Sequence, residues 1–246
     1  MAASDADFDD FKLFSVKEKR PQGRGKITVA RFKADYDKNH YIPPSHACYL
    51  GMKTRRNDNN NTTTVSLYFT GGYNLGDPNI AVESASNMKI INIEIDPLAV
   101  KISSVKDVPC MNKNWTYASG YQLKKSFYIF GGYDPQQRTC SGKFFRLQEV
   151  EKASGEPKFK KSLISSQDHT NPTPRFGHTL DHMIGSDISL LIGGVYLPNR
   201  HRPQCMATNV FKIVSIEDVL YTFNHTNKTW VDISGILREF IFEDIK

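Results

Sequence analysis

Short apolar runs, separated by polar or glycine-rich stretches, cover most of the chain. The run at residues 188–192 is too short for an ordinary helix and is bounded by turn residues, which predicts a buried strand. It ends at Gly193-Gly194. The same arrangement stands twice upstream: residues 65–70 run into Gly71-Gly72, and residues 127–130 into Gly131-Gly132. A glycine pair at a strand end permits positive φ or the close pass of another backbone. After each pair come a polar loop and two further strands, at 89–95 and 100–105, at 143–147 and 159–164, and at 219–223 and 228–233. Helical spacing is confined to the end of the chain, so the pattern predicts an all-β fold.

The glycine pairs recur at about 60 residues, longer than the ~50-residue kelch repeat but of that kind. In a kelch unit a glycine pair is followed by a Tyr and then by a Trp on the outer strand; the third unit carries both, as Tyr221 and Trp230. The chain resembles the kelch family of β-propellers. That resemblance implies structural roles for Gly71, Gly72, Gly131, Gly132, Gly193, Gly194, Tyr221 and Trp230.

Residues 11–16 and 27–32 read as a hairpin with a basic tip at 17–26. This hairpin is a candidate degenerate first blade without its glycine pair. A connector at 39–44 and an inner strand at 45–50 follow, then a polar low-complexity loop at 53–64. Residues 1–10 read as a disordered acidic lead. The rest, 11–246, reads as one kelch-type propeller with approximate blades at 11–50, 51–110, 111–170 and 171–235. Four blades are fewer than kelch propellers usually have, so the ring is expected to be incomplete, shortened or closed by a partner. At 235–246, apolar Ile236, Leu237, Phe240 and Ile241 leave a short helix and a further strand both open.

Composition narrows the classes. The 246 residues carry a net charge of +6, and aromatics make up 11%. The length allows one domain with a sizeable core or a small domain pair, and the aromatics suit a β interior. No apolar run approaches the ~18 residues of a membrane span. The first ten residues lack the basic start and apolar core of a signal peptide, so an intracellular chain is expected. Cys48, Cys110, Cys140 and Cys205 are widely spaced and form no C-x-x-C, which points to free thiols rather than zinc or a disulfide framework. Sequons at Asn60, Asn61, Asn114, Asn224 and Asn227 are then read as chance.

A sharper resemblance rests on Pro172-Thr173-Pro174-Arg175-Phe176-Gly177-His178-Thr179, followed by Gly193-Gly194 and Tyr196-Leu197-Pro198. This segment resembles the propeller of the recombination-activating protein two family, the accessory subunits of V(D)J recombinases, which carry a similar P-x-P-R-aromatic-G-H-[ST] strand before a GG-x-x-Y-x-P turn. The polar insertion 199–204, the connector Tyr41-Ile42-Pro43-Pro44, and the first hairpin with Lys19, Arg20 and Gly23 also fit. The likeness is best over 143–223. The family's C-terminal zinc-binding PHD finger has no Cys/His cluster here to build it, so a shorter, transposon-type relative fits better and histone-tail reading is not carried over. The resemblance implies a nuclear, non-catalytic subunit in DNA recombination or transposition. It implies a DDE-type catalytic partner, an assembly of two catalytic and two accessory chains, DNA contacts and no cofactor.

The candidate chemistry agrees with a non-enzyme. His178 and His182 are four apart, but on a strand they share a face with Leu180 rather than a helical metal site, and no H-E-x-x-H accompanies them. A blade histidine bonded to backbone is the expected role. Asp168, Asp181 and Asp187 sit at predicted strand ends and turns, where Asp is ordinary turn chemistry. No G-x-S-x-G elbow is present, so no catalytic, cofactor or metal residues are assigned. Basic loops carry the functional signal: Lys17, Lys19, Arg20, Arg24 and Lys26; Lys53, Arg55 and Arg56; and Arg200 and Arg202 beside His201. Such loops on a rigid scaffold attract phosphates without reading sequence. For any one cluster, plain solvation is an equal reading. The Lys124-Lys125 pair and the lysines at 158–161 read as solvated strand edges that discourage aggregation. The alternative function is a generic kelch protein-interaction module, such as a ubiquitin-ligase substrate adaptor.

Overall fold

The structure, a computed structural model, describes residues 10–16, 27–33, 47–58, 61–72, 87–96, 100–110, 116–134, 137–151, 157–164, 171–197 and 212–236; of 10–16 and 27–33 it describes the backbone. The architecture is all-β, built mainly of four-stranded sheets. Strands β1 (Asp10–Val16) and β2 (Ile27–Lys33) form a two-stranded antiparallel hairpin. Three four-stranded sheets follow. The first runs β3 (Cys48–Asn57), β4 (Thr62–Thr70), β5 (Asn87–Ile95), β6 (Val100–Pro109). Two short strands, β9 (Tyr133–Asp134) and β10 (Thr139–Cys140), interrupt the chain path of the second sheet. That sheet is antiparallel and runs β7 (Ser119–Leu123), β8 (Ser126–Phe130), β11 (Phe144–Glu151), β12 (Pro157–Ile164). The third, also antiparallel, runs β13 (Thr179–His182), β14 (Ile188–Ile192), β17 (Leu220–Asn224), β18 (Thr229–Asp232), with β15 (Val195–Tyr196) and β16 (Lys212–Ile213) between its halves.

Each second strand ends in its glycine pair, and the second and third repeats share a set of equivalent bonds. Gly131 N–H donates to Lys143 O and Gly193 N–H to Val219 O. The carbonyls of Gly132 and Gly194 accept from Ser141 N–H and Val214 N–H. The bridges Thr116–Tyr133 and Phe176–Val195 are equivalent, as are the small ladders β9–β10 and β15–β16. All six glycines have positive φ, between 67° and 111°. The pair turns the chain out of the second strand and into a short lateral ladder before the third strand begins.

Two differences from the sequence reading are physical. The polar stretch 53–64 is expected to be a loop, yet β3 continues through Asn57 and β4 begins at Thr62. Cross-strand pairing and β-branched Thr62, Thr63 and Thr64 hold strand geometry where no apolar pattern marks it. Cys48 to Leu50, assigned by sequence to a blade at 11–50, belong to the first strand of the next sheet.

The chain divides into two compact units. One takes 1–42, 54–66 and 91–105. Its rungs are polar: Ser66 Oγ donates to Asn92 Oδ1 at 2.6 Å, and Asn92 Nδ2 donates to Ser104 Oγ at 2.8 Å.

The other unit takes 43–53, 67–90 and 106–246 and holds the core. One cluster joins Leu50, Tyr68, Met88 and Ile90 to Phe127, Ile129 and Leu147. A second joins Phe130 and Phe144 to Leu180, Leu191, Tyr221, Phe223 and Trp230. The second sheet is therefore buried on both faces. This explains why residues 126–130 read as a continuous apolar run instead of an alternating one. Trp230 packs against Phe130, Phe144 and Phe223 at centroid distances of 5.4, 5.3 and 5.0 Å.

Candidate functional site

The segment from Pro172 to Thr179 joins the second and third sheets. The Arg175 carbonyl accepts from Gly132 N–H at 2.9 Å, at the second sheet's glycine pair. Its side chain, fully buried, turns to the third sheet's pair. Nη1 donates to Gly193 O at 3.2 Å and to Asp218 O at 2.8 Å, and Nε donates to Thr173 O at 2.9 Å. Nη2 lies 2.8 Å from Asp218 Oδ1. The guanidinium also lies over the Tyr221 ring, whose hydroxyl donates to the same carboxylate. Phe176 pairs with Val195 in both directions, and Gly177 N–H donates to Tyr117 O. The arginine's donors thus tie the Gly193 carbonyl of the glycine turn to those of Thr173 and Asp218.

His178 sits between the glycine pairs, edge-on to Phe130 at 5.4 Å. Neither ring nitrogen makes a hydrogen bond of ordinary geometry, and the backbone contact expected of it, with Phe130, acts on the ring only by opposing the fall in its pKa. Burial, with the Arg175 charge adding to it, holds its pKa down at about 3. A base that is neutral when folded and protonates near 6.5 when unfolded contributes stability that is fully present above 6.5 and is lost as pH falls towards 3. Stability should decline between pH 6.5 and 4 with a slope of up to about 1.4 kcal/mol per pH unit from this one group. Urea midpoints of the wild type and of His178→Gln, measured across that range, check it. The variant, whatever its stability at pH 7, should show the shallower slope; equal slopes would remove His178 as the cause.

His182 does not join His178. It faces His225, from the turn after β17, with ring centroids 5.5 Å apart. Tyr121 stacks between Tyr128 and His182, at 5.3 and 5.7 Å. Its hydroxyl, that of Ser189 and His225 Nε2 form a closed triangle with sides of 2.7, 2.8 and 2.9 Å, and His182 Nδ1 meets Ser189 Oγ at 3.2 Å. Burial, with the neighbouring His182 next in weight, lowers the His225 pKa to about 4, against an opposing pull from Asp187. Burial raises that of Tyr121. The serine is fully buried, so this constellation of Ser, His and Tyr is a polar lock between two sheets rather than an exposed nucleophile. Asp187 lies in the turn between β13 and β14, where its Oδ2 accepts from the Thr226 hydroxyl, whereas Asp181 stands within β13 opposite Leu190, and its Oδ1 accepts from His182 N–H. Asp168 lies outside the described residues. Among the described residues no group of three His, Cys, Asp or Glu is placed to hold a metal. Burial pushes the Cys48 thiol up to about 12 and the Cys110 thiol to about 11, so neither is a nucleophile at neutral pH.

The basic residues singled out by sequence divide three ways. Lys53 is turned inward: its ammonium pairs with Glu149 and lies 5.3 Å from the Tyr68 ring centroid and 5.7 Å from that of Phe127. Arg55 and Arg56 are exposed near the end of β3, where Arg56 meets Asp58 at 3.3 Å and Asn61 Oδ1 at 3.1 Å. Lys17, Lys19, Arg20, Arg24, Lys26, Arg200 and Arg202 lie outside the described residues. The sequence reading missed Arg175 as a structural hub, and it missed the Tyr121–Ser189–His225 triangle. Arg175 stood in plain view in the P-R-F-G-H string. The triangle comes from three segments far apart in sequence, and no local signal announces it.

No known family pattern matches the chain, and no curated protein matches it. Among solved structures, that of YjhT is similar over 79% of this chain and 52% of its own, with 11% identity and a TM-score of 0.43. This chain spans about half the length of that one.

Proposed function

We propose that this chain is a non-catalytic accessory subunit of a DNA recombinase or transposase, of the kind that the recombination-activating protein two family supplies to V(D)J recombinases. The observation that carries the reading is the folding of Pro172-Thr173-Pro174-Arg175-Phe176-Gly177-His178-Thr179 and Gly193-Gly194-Val195-Tyr196 as one bonded unit around Arg175. The string that resembles that family is a cooperating structural device, which supports the reading. In this reading the blades dock on a DDE-type nuclease in the nucleus, and exposed cations steady DNA through its phosphates. Arg55 and Arg56 are the described candidates, with Lys19, Arg20 and Arg24 of the first hairpin beside them in the proposal.

Co-purification tests the partner: a DDE-type nuclease is expected, whereas capture of a cullin scaffold would assign the chain to the adaptor class. Within the nuclease complex, Arg55→Ala/Arg56→Ala should weaken DNA binding about equally on all sequences. It should make the log–log salt dependence shallower by up to about two, and Lys19→Ala/Arg20→Ala/Arg24→Ala by up to about three. Folding stability of the Arg55→Ala/Arg56→Ala variant should stay within about 0.5 kcal/mol of wild type, since both side chains are exposed. Unchanged affinity and salt slope in both variants would leave these residues as solvated surface. Metal-dependent nicking by the purified chain, lost on mutation of its own carboxylates, would overturn the non-catalytic assignment.

A further inference from the structure

A cavity of about 790 Å³ opens between the second and third sheets, at the end where the β7–β8, β13–β14 and β17–β18 turns meet. Its volume falls within the range of small-molecule sites, about 300–1,000 Å³. The wall is built from side chains already held in place. Tyr128 and His225 are half-buried and Phe223 is buried. They are fixed by the ring stack on Tyr121 and by the triangle with Ser189. Because His225 Nε2 is engaged in that triangle, Nδ1 is the ring nitrogen left to meet an occupant.

The charge around this cavity is one-sided. Lys124, Lys125 and Lys228 stand exposed at the turns, and Arg146 reaches in from β11 with its Nε donating to Ser126 Oγ at 3.0 Å. Asp187 is the carboxylate among the lining residues, and its Oδ2 accepts from Thr226. Among the described residues no ion pair engages Lys124, Arg146 or Lys228. Four cations facing one carboxylate, at the edge of a concave low-dielectric wall, focus a positive potential into the cavity. Lys124 and Lys125, read from sequence as solvated edge lysines, thus belong to a concave site. Arg146 supplies the planar fork that suits phosphate oxygens.

We propose that this cavity binds a phosphorylated ligand of nucleotide size, with the phosphate held by Lys124, Arg146 and Lys228 and a flat ring laid against the Tyr128–His225 wall. The site is independent of the recombinase reading, since none of its residues belongs to the basic loops assigned there to DNA.

The test is calorimetric titration of the purified chain at low salt with AMP, ATP, inorganic tripolyphosphate and a short oligothymidylate. Saturable binding of AMP or ATP is expected, tighter for the nucleotide with more phosphates and weakened by added salt. Lys124→Gln/Lys228→Gln should weaken it by about tenfold or more through loss of charge-assisted hydrogen bonds. The melting temperature without ligand should not change, because both side chains are exposed. Tyr128→Leu should weaken AMP but not tripolyphosphate, which separates ring recognition from phosphate recognition. The proposal is overturned if no probe binds saturably at millimolar concentration. It is also overturned if the lysine variant keeps wild-type affinity, or if the oligonucleotide alone binds, which would return these cations to strand contacts.

Discussion

Gly131→Ala is expected to destabilise the protein by about 3 kcal/mol or more, while Gly193→Ala, at the equivalent position one repeat later, should cost only about 1–2 kcal/mol. Both glycines are left-handed, with φ of 70° and 67°, so both variants carry the same backbone penalty. Their surroundings differ. A Cβ on Gly131 would stand 2.5 Å from the Arg175 carbonyl oxygen and 2.6 Å from His178 Cε1, whereas one on Gly193 meets nothing within 4 Å. The first obstacle is backbone, and that backbone is tied to Gly132 by a hydrogen bond of 2.9 Å. Relief would have to move the whole 172–178 segment. Urea unfolding of the two variants side by side gives the answer. Equal losses would mean that the segment yields freely and that the junction between the second and third sheets is soft.

The same contrast shows where the sequence is informative. The glycine pairs, the apolar strands before them and the outer Trp230 are local patterns, and the structure places them in three like sheets. The patterning misses strands whose geometry comes from a neighbour. Residues 53–57 carry Lys, Thr, two Arg and Asn with no apolar alternation, and pairing alone draws them into β3. Strand β7, Ser119-Gly120-Tyr121-Gln122-Leu123, carries a glycine and is not assigned by the sequence patterning. A Cβ there would meet the Tyr128 carbonyl at 2.4 Å, so the residue is small because the strand beside it is close. The site is less legible than the fold for the same reason. The cationic cavity draws on turns and strands from Leu123 to Lys228, and each lysine taken alone reads as ordinary surface. Lys53 shows the opposite error: it reads as one of a basic trio, but its ion pair with Glu149 and the Tyr68 and Phe127 rings hold it inward while Arg55 and Arg56 stay exposed.

Arg175→Met should cost about 3–5 kcal/mol, the range seen when one partner of a buried ion pair is removed. For a chain of this size, and if unfolding is two-state, that lowers the melting temperature by roughly 10 °C. The methionine fills most of the volume, so the loss is chiefly polar. The Gly193 and Thr173 carbonyls lose their donor, the Asp218 carbonyl loses another, and the Asp218 carboxylate is left with the Tyr221 hydroxyl. Arg175→Lys should recover only part of the stability, because an ammonium cannot reach three carbonyls on diverging lines from one planar fork. Asp218→Asn should be milder, since the fork still finds its carbonyls. Coupling between positions 175 and 218 should appear in the double variant R175M/D218N, which should be less destabilised than the sum of its parts. Differential scanning calorimetry on the wild type, the two single variants and the double variant completes the cycle. If R175M stayed within about 1 kcal/mol of wild type, the level of an ordinary surface change, Arg175 would not be what holds the two glycine turns together. The P-R-F-G-H string would then need another reason to be present, and direct contact with a partner or with DNA would be the first to test.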